Sequence, residues 1–252
     1  MSTELGGRYL DTVTDLLRRI HDTQAPAIDA AARLLADQIA ADKLVHVYAP
    51  GGHSNLAAQE VFFRAGGLMH VSAILDSGTL LSDGALRSMA VERLPGYGRI
   101  VIDNAGLASG DVLILVNAYG INAALIDAAL AAHDRGVVTI GVSSRTHASQ
   151  TSPEHPARHP SKKNLYEVVD HHIDTFVPVG DAVIQVGDAV EKSGSVSTFA
   201  NAYTMNWLML ATIQLLDRQG VEVPIWRSGN APGGDEANAR FLDRFRGRVK
   251  WL

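Results

Sequence analysis

The side chains best suited to proton transfer follow a buried, strand-like run early in the chain. The run 44–48 ends in a Pro-Gly-Gly turn that includes Gly52; His53 and Ser54 follow, and Glu60 lies about two helical turns further on. A carboxylate can remove a proton from carbon, and an imidazole can carry protons near neutral pH. We predict that Glu60 is a general base and His53 a proton carrier, with Gly52 and Ser54 contacting a ligand.

Each of these side chains also has a structural interpretation. Glu60 could form an ion pair with Arg64 at the i+4 position, and the ring of His53 could bond a backbone carbonyl. Ser54 stands at the expected N-cap of the following helix, where serine is common without any ligand. The sequence leaves the catalytic and the structural roles of Glu60 and His53 equally open.

A second buried run, 111–116, ends in a turn that carries amides and a phenol. The turn contains Asn117, Tyr119, Gly120 and Asn122. A strand that feeds a helix through a small turn directs unpaired N–H groups and the positive end of the helix dipole at one place. We predict that these four residues bind a small anionic molecule together with the turn at Gly52.

Alternating strand-like and helical patterns predict an α/β fold with parallel strands and right-handed crossovers. The N-terminal part predicts a helical hairpin, because residues 9–20 and 27–41 each keep helical spacing. Strands are predicted at 44–48, 69–75, 111–116, 137–142 and 172–177, with a possible edge at 189–190. Helices are predicted at 55–65, 86–94, 121–133, 165–169 and 198–218, and a docked helix near the C-terminus.

Two segments interrupt this alternation. Residues 76–99 predict a loop and helix beside the active site, and residues 143–164, rich in Ser, Thr, His and Pro, predict a lid or a mobile loop. We expect a single domain over residues 1–252. It would comprise the hairpin (1–42), the α/β core (43–218) and a C-terminal tail and helix (219–252).

Composition narrows the classes of function. The chain has 252 residues, of which 46% are hydrophobic, no cysteine and a net charge of −5. The charge argues against a broad nucleic-acid-binding surface, and no apolar run approaches the roughly 20 residues that cross a membrane. The N-terminal segment shows neither a basic leader nor a lipidation signal. We therefore expect a cytoplasmic protein that binds neither nucleic acid nor membrane.

Several short motifs occur in an order that resembles the SIS (sugar isomerase) family, in particular its stand-alone members similar to phosphoheptose isomerases. The motifs are Gly51–Ser54, Gln59–Gly67, the 111–116 strand with its turn, Tyr166–Asp170, Ser195–Thr198 and Gly233–Asn238. No single motif is specific, but together they span nearly the whole chain. The resemblance implies a three-layer α/β/α sandwich with a mainly parallel, flavodoxin-like sheet of five strands.

The resemblance also implies an activity in carbohydrate metabolism. Such enzymes interconvert an aldose and a ketose through an enediol, on a sugar that carries an anionic group, with phosphate as the first choice. Ser195, Ser197 and Thr198 match a hydroxyl-rich turn that would bind the anion or sugar hydroxyls, although an ordinary N-cap is the alternative. Asp235 and Glu236 match a segment that completes a partner's pocket, which implies a homodimer or homotetramer with shared active sites.

This chain departs from the family pattern in two places. Asn117, Tyr119 and Asn122 replace the hydroxyl side chains of the family's Ser-x-Ser-Gly-x-Thr turn, and Ser82–Asp83 replaces a His–Glu pair. A sulfonated or unphosphorylated sugar is therefore an alternative substrate, and etherase or epimerase chemistry would share the first step. A non-catalytic sugar-phosphate sensor is the alternative function, although no helix-turn-helix precedes Leu44.

The histidines do not form a recognisable metal-binding pattern. His171 and His172 are neighbours on a predicted strand, so their side chains point to opposite faces. His147, His155 and His159 lack a fixed ligand spacing. We expect no obligate metal and no cofactor.

Overall fold

Within residues 2–252, which the structure describes, five parallel strands form the central sheet. The structure is a computed structural model, and Met1, part of the N-terminal segment searched for a leader, lies outside the described residues. The strands lie in the order β2-β1-β3-β4-β5: β1 (Val45–Tyr48), β2 (Val71–Ile74), β3 (Val112–Val116), β4 (Val138–Ser143) and β5 (His171–Asp174). Val45 is paired with Val71 and Val112. The predicted α/β class and parallel sheet are confirmed.

Helices connect and cover these strands, and a short antiparallel pair of strands lies beside the sheet. The helices are α1 (Ser2–Ala40), α2 (Asn55–Val61), α3 (Ala85–Glu92), α4 (Tyr97–Asp103), α5 (Ala123–Asp134), α6 (Arg145–Gln150), α7 (Leu165–Val168), α8 (Ser197–Arg218) and α9 (Gly234–Phe245). The pair is β6 (Ala182–Ile184) with β7 (Ser193–Ser195), so the possible edge at 189–190 lies in the loop between them. None of the helices within residues 2–252 is long and apolar enough to cross a membrane.

The predicted N-terminal hairpin is wrong, because α1 is one continuous helix of 39 residues with Pro26 inside it. Its buried side chains form a stripe that runs through both halves, from Val13 and Ile20 to Ile28 and Leu35. That stripe packs along α8 and the sheet. Both halves of α1 therefore bury their apolar side chains by continuing as one helix, which a hairpin would not allow. Tertiary packing therefore offsets the missing proline N–H, which in an isolated helix costs about 3 kcal/mol.

The strands are buried on both faces, which explains their uninterrupted apolar sequences. Val47 and Ile114 face the layer formed by α1, α2 and α8, whereas Tyr48 and Leu115 face the layer that contains α4, α5 and α7. Helix α2, which follows β1, and helix α5, which follows β3, thus lie on opposite faces of the sheet. The predicted three-layer sandwich is confirmed.

Several parts of residues 143–164 are tied together by one partly buried guanidinium. Arg158 donates hydrogen bonds to the carbonyl oxygens of Ala148, Thr151 and Ser152, and to Oδ1 of Asn164. Helix α6 occupies the first part of the segment. The segment thus has internal structure in this state, and the lid or mobile loop expected from its composition stays a prediction.

Gly98 is the tightest point between α4 and α5. A Cβ there would overlap the backbone carbonyl of Ala124, which cannot move without disturbing α5. We expect Gly98→Ala to lower the free energy of unfolding by about 1–3 kcal/mol in chemical denaturation. Gly7→Ala is the matched control: Gly7 lies in α1 with nothing within 4 Å of its Cβ position, so that variant should be no less stable than the wild type. Equal stability of the two variants would contradict this packing.

Candidate active site

A polar cleft of about 370 Å³ opens at the carboxyl ends of β1 and β3. The helices that follow these neighbouring strands leave toward opposite faces, which creates the crevice where α/β sheets bind ligands. The cleft brings together residues from three predicted turns: Gly52, His53, Ser54, Asn117, Tyr119, Ser195, Ser197 and Thr198. Their placement in one crevice matches the expectation from the sequence.

The lining also contains an acid that the sequence analysis missed. Glu92, the last residue of α3, accepts a hydrogen bond at Oε1 from Nδ2 of Asn117, 3.2 Å away. Burial raises the pKa of Glu92 to about 7, and the hydrogen bond from Asn117 and the charge of Arg93 counteract it only in part. A carboxyl with this pKa can both accept and return a proton near neutral pH.

The turn after β1 lets this carboxyl approach the backbone closely. Gly51 has φ +117°, and a Cβ there would lie 2.8 Å from Oε1 of Glu92. Ser88, four residues earlier, is buried on the same side of α3. The sequence itself carries no signal for Glu92, because this burial is visible only in the fold.

The turn after β3 is closed from within by Asn117. Its Oδ1 accepts the N–H groups of Tyr119 and Gly120, both at 3.0 Å, and its Nδ2 donates to the carbonyl oxygen of Pro50 at 2.9 Å. The side-chain amide therefore occupies the donors that we expected to bind an anion. Gly120 (φ +71°) is buried behind the turn, and Asn122 lines an adjoining cavity instead.

The start of α8 is likewise occupied by a carboxylate of the chain itself. Oδ1 of Asp181 accepts the N–H groups of Val196 at 2.9 Å and Ser197 at 2.7 Å, and Oδ2 accepts the hydroxyl of Ser197 at 2.7 Å. Thr198 remains at the border of the cleft, and the carbonyl of Ser195 accepts the hydroxyl of Tyr9. The expected anion-binding donors at Ser197 already hold an anion.

Asp181→Ala is expected to lower the free energy of unfolding by about 1–2 kcal/mol, because a helix start loses its capping acceptor. Asp188→Ala is the matched control, since Asp188 is exposed in the loop between β6 and β7. Thermal unfolding of both variants provides the measurement. Equal midpoints for Asp181→Ala and the wild type would contradict a capping role.

The hydroxyl of Ser54 is available to a ligand. Ser54 occupies the N-cap position of α2 but its side chain makes no capping bond, so the structural role suggested for it is wrong. Asn55 instead bonds the carbonyl of Gly51 at 2.8 Å. Oγ of Ser54 lies 3.3 Å from Nδ2 of Asn117, which leaves its own O–H free to donate. His53 is exposed at the mouth of the cleft.

Tyr119 forms the wall of the cleft with an aromatic partner behind it. Its ring stacks on His147, with ring centroids 3.7 Å apart. Burial raises the pKa of Tyr119 and lowers the pKa of His147 to about 4. Near neutral pH the phenol therefore stays protonated and can donate a hydrogen bond, while the imidazole behind it is uncharged.

Glu60 lies outside this cleft, in a smaller cavity of about 330 Å³ that shares His53 and Thr198 with it. The carboxylate is 3.4 Å from Nε of Arg64 and accepts a hydrogen bond from Nδ2 of Asn206 at 3.3 Å. The ion pair that we considered as its structural role is thus present. Glu60 does not contact Glu92 or the β3 turn within this chain.

Asp235 and Glu236 lie in the exposed first turn of α9, far from the cleft in sequence and in space. Phe245 anchors α9 against Met69 and Trp226, beside the amino ends of the strands. A contribution of this pair to a partner's pocket remains a prediction. In the described part of the chain, no group of three or more acidic or histidine side chains is placed to hold a metal ion.

Comparison with known proteins identifies the family. The SIS domain profile matches residues 8–144, more than half of the chain. The chain belongs to the SIS domain family. Among curated relatives, this SIS protein is 36% identical over 245 residues to a UPF0309 protein of Streptomyces coelicolor, covering 96% of each chain. It is 33% identical over 246 residues to a UPF0309 protein of Brucella canis, covering 98% of each.

Solved SIS structures share the fold at low sequence identity. The phosphoheptose isomerase of Neisseria gonorrhoeae matches with a TM-score of 0.55 and 14% identity, over 85% of this chain and 100% of that one. A phosphoheptose isomerase of Francisella tularensis matches with a TM-score of 0.52 and 14% identity, over 85% and 99% of the two chains. The resemblance found in the sequence motifs is confirmed at the level of family and fold.

Proposed function

We propose that this SIS protein is an aldose–ketose isomerase that acts on a sugar phosphate, with Glu92 as the base. The observation that carries the proposal is the partly buried carboxyl of Glu92, whose pKa is about 7, in a cleft lined by hydroxyl and amide groups. Family membership supports a sugar ligand, and related folds occur in phosphoheptose isomerases. The proposal moves the base from Glu60, the candidate from the sequence, to Glu92.

The proposed reaction begins when ionised Glu92 removes a proton from the carbon next to the carbonyl. The electron pair of the C–H bond moves to the carbonyl oxygen and produces an enediolate, which the hydroxyls of Tyr119 and Ser54 stabilise by donating hydrogen bonds. His53 carries a proton between the two sugar oxygens. The acid proton of Glu92 exchanges with water, Glu92 then protonates the former carbonyl carbon, and the aldose becomes a ketose.

Asn117 has a positioning role in this scheme. Its Nδ2 donates hydrogen bonds to Oε1 of Glu92 and to the carbonyl oxygen of Pro50. Its Oδ1 accepts the N–H of Tyr119 and so stabilises the turn. One amide thus sets the distance between the base and the hydroxyl that stabilises the oxyanion. Such rigid placement is what proton abstraction from carbon requires.

A panel of aldose and ketose phosphates, each paired with its unphosphorylated sugar, tests the proposed function. The purified protein is incubated with each sugar, and proton NMR follows the appearance of the isomer. We expect interconversion of at least one phosphorylated pair. Binding of sugar phosphates with no conversion across the panel would favour the sensor function instead.

A further inference from the structure

We propose that the anionic group of the substrate binds outside the family's usual turns, in the adjoining cavity beside Arg93. This inference rests on the proposed function, because it assigns a position to the phosphate of the same sugar. The cavity has a volume of about 590 Å³ and shares Glu92, Tyr119 and Gly180 with the polar cleft. A substrate can therefore extend from one space into the other past the base.

The polar cleft itself is unfavourable for a phosphate. Its lining contains two carboxyl groups, Glu92 and Asp181, and no lysine or arginine among the described residues. Two of the three sets of backbone N–H groups that would attract an anion, in the turn after β3 and at the start of α8, are bonded to Asn117 and Asp181. A phosphate there would face two acids without a counter-charge.

The adjoining cavity offers an unpaired cation at the right place. Arg93 follows Glu92 directly in the chain, lines the cavity and has no hydrogen-bond or ion-pair partner within residues 2–252. Other arginines nearby are already engaged: Arg87 pairs with Asp83 at 3.6 Å, and Arg158 donates to backbone carbonyls. A guanidinium with free donors is well suited to bind phosphate oxygens.

Two further free donors line the same cavity. Nδ1 of His155 accepts the N–H of Ala157 at 3.2 Å, so the neutral ring carries its proton on Nε2. Oγ of Ser152 accepts the N–H of Glu154 at 3.2 Å and keeps its own O–H to donate. The carboxylate of Glu154 is neutralised by an ion pair with Lys162. With Arg93, these groups give the cavity three side chains that can donate to an anion.

One buried acceptor in the same cavity also lacks a partner. Oδ1 of Asn122 is fully buried and makes no hydrogen bond within the described chain. An unsatisfied buried carbonyl oxygen is costly. Because the oxygen itself is enclosed, a hydroxyl or N–H of the sugar satisfies it only if the amide of Asn122 turns toward the cavity.

The test uses inorganic phosphate as the probe and calorimetric titration of the full chain. We expect the wild type and Arg87→Gln to bind phosphate alike, and Arg93→Gln to bind it about tenfold or more weakly, since a charge-assisted contact is lost. Arg87 is the matched control because it lies on α3, the helix that ends directly before Arg93, and does not line the cavity. No binding by the wild type, or equal binding by Arg93→Gln, would overturn the proposal.

Two further variants separate this proposal from the proposed function. Glu92→Gln should keep phosphate binding even though it loses turnover, so an inactive protein still reports on the anion site. Ser197→Ala should bind phosphate as the wild type does, because Asp181 already occupies the donors there. If Ser197→Ala loses phosphate binding and Arg93→Gln keeps it, the anion binds at the start of α8. That result would overturn the inference.

Discussion

Glu92→Gln is expected to reduce turnover by about a thousandfold or more, within the range attributed to a positioned general base. The amide keeps the shape of the side chain and can still accept the hydrogen bond from Asn117, but it cannot take up a proton from carbon. Ligand affinity should change little. The measurement is the steady-state rate of isomerisation with the sugar pair identified by the panel.

Glu60→Gln is the matched control for this variant. Glu60 is also a glutamate near the carboxyl end of β1, but it is 31% exposed and paired with Arg64, so its replacement should retain most of the turnover. Folding is checked separately: above pH 7 the Glu92→Gln variant should be at least as stable as the wild type, because it no longer buries a charge. If Glu60→Gln loses activity and Glu92→Gln keeps it, the base is Glu60, as assigned from the sequence.

The rate is expected to rise with pH through the pKa of Glu92, which burial holds at about 7. Only the ionised carboxyl can act as a base, so at pH 5 about one molecule in a hundred is active and kcat/KM falls about a hundredfold below its plateau. The free energy of unfolding changes with pH in the opposite direction. Because the pKa is higher in the folded state, the fold loses stability as pH rises from the unfolded value toward 7.

The phosphate of the substrate also titrates in this range, because its second pKa is near 6, about one unit below that of Glu92. Asn117→Asp distinguishes the ionisation of Glu92 from that of the phosphate. The aspartate keeps an acceptor for the N–H groups of Tyr119 and Gly120 but places a second carboxylate beside Glu92. Like charge disfavours ionisation, so the midpoint of the profile should move up by about one pH unit or more. An unchanged midpoint would show that the titrating group is not Glu92.

The sheet could be predicted from the sequence because its signals are local. Strands buried on both faces require continuous apolar runs such as 112–116, and glycine turns mark where β1 and β3 give way to helices. The same turns also located the cleft, since the carboxyl ends of neighbouring parallel strands meet. His53, Ser54, Asn117 and Tyr119 were found for this reason.

The features that were missed depend on contacts between distant parts of the chain. Glu92 becomes a buried acid only when α3 packs over Gly51 and Asn117, and nothing within its own helix reveals that burial. Asp181 caps a helix that begins 16 residues later. The continuity of α1 was missed because helical spacing was recognised only in two separate stretches, 9–20 and 27–41, whereas the packing that keeps them in one helix comes from α8.

The central claim is that Glu92 removes a carbon-bound proton from a sugar, and deuterium exchange tests it most directly. The wild type, Glu92→Gln and Glu60→Gln are incubated in deuterium oxide with the sugar phosphate that the panel identifies, and NMR follows the carbon next to the carbonyl. We expect deuterium to enter with the wild type and with Glu60→Gln, and not with Glu92→Gln. Exchange by Glu92→Gln at the wild-type rate would contradict the assignment of the base.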